Sequence, residues 1–374
     1  MRPDPLIVID ETLREGMQYQ GLMFSADQRT AILDFQEALG IDICQAGYPP
    51  AHEQEAQIIQ NLAAHARNSG YRIRVAGMGR AVKKDVDCLI QTRVRDFHLH
   101  LHIPSDADPA ERAGRLKDLG DLAAYLRGKV ANAVISAAML DIGKSDTRLL
   151  EEAVTCCARH GIDIISLPDT SGIMAPGQVE QVISHLIPLA GTSLIAVHCH
   201  NDMGLASANT ICGIQAGGRV IEAAVLGLGE RNGIADLFTT LKTLKDQGVP
   251  TRVNIDDHET FLAYYQYVDA IVQEQLGRAK LTPDTPFFGS AVRTHVAGTH
   301  ADGQFGSREE TRFYLNSLCG RGLVKKYLAE HHIRVPADLL DTLTRSVKTE
   351  SIRLNRRLTL EEVKKIIVLL SDSG

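Results

Sequence analysis

The sequence predicts an α/β protein: a (β/α)8 barrel of the TIM type over residues 1–250, then a helical C-terminal extension over 251–374. Three observations carry this reading. Eight short apolar runs, several rich in Ile and Val, occupy residues 6–13, 41–49, 72–78, 96–104, 132–140, 162–170, 193–202 and 220–229. Helical segments separate them, and most runs close on Gly, Pro, Asp or Asn, as strands of a buried parallel sheet do. Beyond about residue 250 the alternation stops. A doubly wound sheet usually has fewer strands and a phosphate-binding glycine fingerprint after the first one. Here the first strand runs into Thr12-Leu13-Arg14-Glu15-Gly16 instead, which favours the barrel.

The helices between the runs carry their own punctuation. Ser25 is the expected N-cap of an amphipathic segment over 25–39, and Gly40 is its stop. Residues 54–69 and 107–128 have similar apolar spacing, and Gly161 and Gly191 fall where helices end before the next strand. In the extension a helix is expected over 256–279, capped by Asp256 or Asp257. Residues 286–306, rich in Gly, Thr and His, read as a loop that can serve as a lid near 290–306. Three helical patterns follow near 308–331, 336–349 and 360–371, the last opened by the capping box Thr359-Leu-Glu-Glu362.

Composition narrows the function. Hydrophobic residues at 44% and charged residues at 23% allow a sizeable core. A net charge of −6 without a long basic run argues against nucleic acid as a partner. No window approaches the ~18 apolar residues of a membrane span. The N-terminal residues do not read as a secretory signal, and seven cysteines without a CxxC fit reduced thiols in the cytoplasm.

In such barrels the site lies at the C-terminal ends of the strands. The seventh run ends Val197-His198-Cys199-His200-Asn201-Asp202. Residues two apart on a strand share a face, so both imidazoles project together, a pairing that holds a divalent transition metal. Two hydrogen-bonded strand-end histidines are the alternative. The first run ends in Asp10, Glu11, Arg14 and Glu15. A carboxylate from this stretch completes a two-histidine, one-carboxylate site, and an arginine beside it offers positive charge to a developing oxyanion. Residues 168–172 offer hydroxyls and N–H groups to a substrate carboxylate, and residues 227–233 form a glycine-rich turn with a Glu/Arg pair. His98, His100 and His102 alternate on one face, with His102 outermost and the one expected to reach the site. In the later loop, His295 and His300 are candidates for proton transfer over the mouth.

Together these residues resemble the DRE-TIM metallolyase superfamily, and within it the Claisen-condensing branch of 2-isopropylmalate, homocitrate and citramalate synthases. The resemblance runs through Asp10-x-Thr-Leu-Arg14-Glu15-Gly-x-Gln18, Gly79-Arg80-Ala-x-x-x-Asp85, Asp169-Thr170-x-Gly172, His198-x-His200-Asn201-Asp202-x-Gly204, Gly227-x-Gly-Glu-Arg231-x-Gly233 and Thr294-His295-x-x-Gly298-x-His300. The Arg-Glu-Gly and Gly-Glu-Arg-Asn-Gly forms look closer to homocitrate synthase. The resemblance implies a pyruvate carboxyltransferase-like barrel that condenses acetyl-CoA with a 2-oxo acid.

It also implies a role for each matching residue. Glu15, His198 and His200 would hold a divalent metal (Mg, Mn or Zn), and Arg14 would stabilise the enolate or oxyanion. His300 would serve proton transfer, and Gln18, His102, Thr170 and His295 would contact substrate. A homodimer is implied as well. The rival readings are a carbon–carbon lyase or aldolase and a non-catalytic barrel that binds a 2-oxo acid. The extension of about 120 residues is expected to hold helical subdomains and no leucine-sensing domain.

Three positions depart from the pattern. Where the family shows Ser-x-Glu-Asp near the end of strand five, this chain has Ser136-Ala137-Ala138-Met139. Val134 stands where homocitrate synthases place an arginine, and Tyr314 is the nearby counterpart of the catalytic tyrosine.

Overall fold

The computed structural model describes residues 4–103, 107–138, 141–296 and 312–371. Eight parallel strands close in sequence order into a barrel: β1 (Ile7–Asp10), β2 (Ile43–Gln45), β3 (Arg74–Arg80), β4 (Asp96–His100), β5 (Val134–Ala138), β6 (Ile164–Asp169), β7 (Leu194–Cys199) and β8 (Val220–Ala223). Closure is sealed by β1 against β8, with Ile9 beside Glu222 and Asp10 beside Ala223. The barrel is packed at its centre by Ile9, Ile43, Ala76, Ile164, Ala196 and Val220, so its chemistry is confined to the strand ends.

The helices follow the strands as the sequence predicts: α1 (Ala26–Leu39), α2 (Glu53–Asn68), α3 (Lys83–Gln91), α4 (Pro109–Lys129), α5 (Thr147–Arg159), α6 (Pro176–Leu186), α7 (Ala206–Gln215) and α8 (Leu237–Asp246). The Ser25 hydroxyl accepts from the Gln28 N–H while the Gln28 side chain accepts from the Ser25 N–H, a reciprocal capping box. Gly40 ends α1 in the left-handed conformation at φ 76°.

Helix α9 (His258–Leu276) is capped by Asp257, whose carboxylate accepts from the Thr260 N–H. The first compact unit runs to Lys280 and includes α9. The reason is polar as well as apolar. The buried Tyr264 hydroxyl donates to Asp10 Oδ2 at 2.9 Å and accepts from Gln36 Nε2 at 3.1 Å, and Tyr265 donates to Asp236 Oδ2 at 2.9 Å.

The second unit, Leu281–Gly374, contains β9 (Thr294–His295), β10 (Arg312–Phe313), α10 (Arg321–Glu330), α11 (Leu340–Leu354) and α12 (Leu360–Ser371). Its core is built from Leu315, Leu323, Val324, Leu343, Val347 and Val363. The helix expected near 308–331 begins only at Arg321, because Arg312 and Phe313 pair as a short parallel strand with Thr294 and His295. The expected Thr359 capping box is present, with the Thr359 N–H donating to Glu362 Oε2 at 2.8 Å. Among the described residues no helix is long and apolar enough to cross a membrane.

Candidate active site and metal centre

At the end of β1 the chain turns back on itself. The Glu11 carbonyl accepts the N–H groups of Arg14, Glu15 and Gly16 at 3.0, 2.8 and 3.2 Å, which folds Arg14 over the strand end. The turn is pinned across the barrel seam, where Thr12 Oγ1 accepts the Val225 N–H at 2.9 Å. Held in this way, the Arg14 guanidinium donates to Glu11 Oε2 at 2.7 Å and also to Glu15 and Gln45. Burial opposes its charge, but Glu11 and Glu15 more than offset that and keep it cationic.

On β7, His198 and the following His200 are both buried, and their Nε2 atoms face each other at 3.4 Å. The other nitrogen of His198 sits between two carboxylates, with Nδ1 at 3.1 Å from Glu11 Oε2 and 3.2 Å from Glu222 Oε2. Glu222 is fixed in turn by the Ser166 hydroxyl, which donates at 2.8 Å. The two imidazoles therefore differ sharply. Burial would lower the pKa of His198, yet Glu11 and Glu222 hold it up at about 10. His200, desolvated and beside a cationic neighbour, is pushed down to about 4.

This donor set fits a divalent cation. Two ligands about 2.1 Å from one ion at a tetrahedral angle lie about 3.4 Å apart, the separation of the two Nε2 atoms. Carboxylates on Nδ1 are the usual means of orienting a metal-binding imidazole. Glu11, His198 and Glu222 also form a compact group in which one ligand atom of each lies within 4.8 Å of the others. Glu11 Oε1 and Glu222 Oε1 are buried without hydrogen-bond partners.

Not every predicted residue joins this cluster. His198, His200 and Arg14 meet at the mouth. Glu15 and His200 both stand outside the Glu11–His198–Glu222 group; the Glu15 carboxylate turns to Arg14, the Glu230 N–H at 3.0 Å and the Gln18 amide, and its charge acts on His200. Thr170 lies exposed after β6, its carbonyl accepting from Arg231 at 2.6 Å. Arg231 also grips Asp202 through two contacts of 2.8 Å, so it ties the β6 and β7 loops together. His102 is exposed beyond the end of β4. His295 lies in the second unit, beside Phe313, and His300 lies outside the described residues.

The glycine-rich turn after β8 is needed for its shape. Gly233 has φ +91°, and a Cβ there would fall 1.8 Å from the Gly227 carbonyl oxygen. The same turn delivers the Glu230 N–H to Glu15, so it shapes the site as well as the chain. Glu222, Ser166 and Gln45 were not singled out by sequence. The signal for Glu222 was present as a charged residue inside an apolar run on a strand.

Residues 5–262 match the HMGL-like family model. This chain belongs to the HMGL-like, DRE-TIM family. Curated relatives include a 2-isopropylmalate synthase of Sulfolobus acidocaldarius, 30% identical over 312 residues covering 79% of this chain and 75% of that protein. Another is a 2-isopropylmalate synthase of Haemophilus influenzae, 28% identical over 355 residues covering 87% of this chain and 66% of that protein. This HMGL-like chain thus spans about two thirds of the length of the latter relative. An HMG-CoA lyase from Brucella melitensis shares the barrel with a TM-score of 0.61 at 16% identity, covering 72% of this chain and all of that one. At that identity the likeness extends to the fold alone.

Proposed function

We propose that this HMGL-like barrel condenses the acetyl group of acetyl-CoA with a 2-oxo acid, forming a 2-hydroxy-2-alkyl di- or tricarboxylate and releasing CoA. The observation that carries this reading is the facing Nε2 pair of His198 and His200, joined to Arg14 through the shared Glu11 carboxylate at the mouth of the barrel. A divalent cation, Mg, Mn or Zn, held by His198 and His200 with Glu15 as the proposed carboxylate, would supply Lewis acidity toward the 2-oxo acid.

The chain's own groups do the rest. Arg14, fixed by three acceptors, presents a permanent positive charge to an oxyanion without reorganising. Thr170, at the mouth on the β6 loop, is proposed to bind the substrate carboxylate, with Gln18 beside Glu15. His295 and His300 are proposed from the resemblance as lid groups. Beside Arg14 opens a cleft of about 470 Å³ whose lining includes Met17, Met23, Tyr48 and Met78. Its apolar walls suit a thioester chain, and methionine adapts readily to such ligands. The relatives support the synthase class. Homocitrate-like and isopropylmalate-like substrates remain parallel readings, and a cytoplasmic homodimer is proposed on the resemblance.

The test is release of free thiol from acetyl-CoA across pyruvate, 2-oxoisovalerate, 2-oxoglutarate and oxaloacetate. Thiol release with at least one of them, lost in His200→Ala together with retained metal, is expected. A His200→Ala variant with stoichiometric metal and full turnover defeats the assignment.

A further inference from the structure

We propose that His100 is the proton acceptor of this site, taking the proton from the methyl group of the acyl thioester; the proposal rests on the condensation reading above. Topology comes first. β4 and β5 pair with His98 beside Ser136 and His100 beside Ala138, and the next N–H, of Leu101, donates to Ala138 O at 2.9 Å. Val134, packed against the barrel interior, pairs with Asp96, so alternation turns the buried His98 into the barrel as well. Side chains two apart share a face, which places His100 on the same inner face, one layer nearer the mouth.

The β5 neighbour in that layer is Ala138, a single methyl, and none of residues 134–138 is acidic. The imidazole of His100 is therefore the titratable side chain that β4 and β5 present at this level. Its surroundings keep it neutral. His100 ends β4 and is exposed, open to a substrate at the mouth; partial desolvation, His98 and Arg14 push its pKa down to about 4, so a ring lone pair is available at neutral pH. His102, expected from sequence to reach the site and contact substrate, sits past the strand end; it is exposed, as His100 is.

The step balances. A ring nitrogen of His100 takes the methyl proton, and the C–H electron pair becomes that of the enolate. The enolate carbon bonds to the keto carbon of the 2-oxo acid, whose carbonyl π pair moves to the oxygen beside Arg14. That alkoxide recovers the proton from the imidazolium. Water then cleaves the thioester, and the C–S pair departs with a proton as the CoA thiol.

The experiment compares the full chain with His100→Ala, His100→Gln and His185→Ala, using the best 2-oxo acid of the panel. Thiol release, deuterium uptake from solvent into the acetyl-CoA methyl, calorimetric affinity for the 2-oxo acid and bound metal are measured on each. Both His100 variants should lose at least about 100-fold in kcat, within the range for a general base. They should lose deuterium uptake while 2-oxo acid affinity and metal content stay within about twofold, and added imidazole should restore part of the His100→Ala rate. His185→Ala, which alters an exposed histidine on α6 paired with Glu151, should keep its deuterium uptake. A His100→Ala enzyme within tenfold of the parent, or one whose deficit lies in 2-oxo acid affinity, overturns the proposal. A parent chain that releases no thiol with any 2-oxo acid fails earlier, at the condensation reading, and takes the proposal with it.

Discussion

Replacing Arg14 with methionine tests whether the barrel mouth is built as one charge-balanced unit. The guanidinium is held by Glu11, Glu15 and Gln45, and Glu11 is wholly buried with one oxygen lacking any partner. Removing one member of a buried ion pair generally costs about 3–5 kcal/mol, because the other charge stays desolvated. Here His198 Nδ1 remains at 3.1 Å from Glu11, and Glu11 can also take up a proton. The expected loss is therefore at the lower end, about 3 kcal/mol. For a unit of this size that corresponds to a fall of about 6–12 °C in Tm. Thermal and urea unfolding at pH 7.5 measure it. Adding Glu11→Gln removes the stranded charge, so the double variant should lie within about 1 kcal/mol of the Glu11→Gln single variant. A loss below about 1 kcal/mol for Arg14→Met, or no recovery in the double variant, would refute the view that Arg14 is there to balance buried carboxylates.

Three other substitutions probe the frame. Asp96, buried at the start of β4 with Arg74 at 3.0 Å, has its carboxyl raised by burial from 3.8 to about 6. The folded state thus binds the extra proton, so this contribution to stability is complete below about pH 4 and is lost as pH rises through about 6. The displacement is worth about 3 kcal/mol. Asp96→Asn should gain on the parent protein over that window by up to this amount, less the Arg74 pairing; parallel stability curves from pH 4 to 7 would contradict it. Tyr264→Phe removes the hydroxyl between Asp10 and Gln36 and should cost about 1.5–3 kcal/mol, read by denaturant midpoint. Gly233→Ala forces a Cβ into the Gly227 carbonyl. It should cost more than about 2 kcal/mol, and an unchanged Tm would show that the turn yields.

The fold was legible because its signals are local. The Ser25 capping box, the Gly40 stop and the alternation of apolar runs each depend on a few neighbouring residues, and all reappear in the barrel. The facing imidazoles were legible for the same reason, since a strand sends residues 198 and 200 to one side. The placement of α9 was not. Helix α9 follows the last strand in sequence, but Tyr264 and Tyr265 bond to Asp10 and Asp236, contacts that no local pattern encodes.

The sequence by itself determined the barrel and its order, and it placed two imidazoles and a guanidinium at one end. It could not decide which carboxylates stand nearest to them. Strand alternation ceases at Asp10, so periodicity cannot say whether Glu11 or Glu15 faces inward. Closure of β1 on β8 brings Glu11 from the start of the chain against His198, beside the Glu222 that β7–β8 pairing sets there. Strand pairing likewise sets His100 beside Ala138. Both are matters of register across a closed sheet, which exists only once all eight strands have paired.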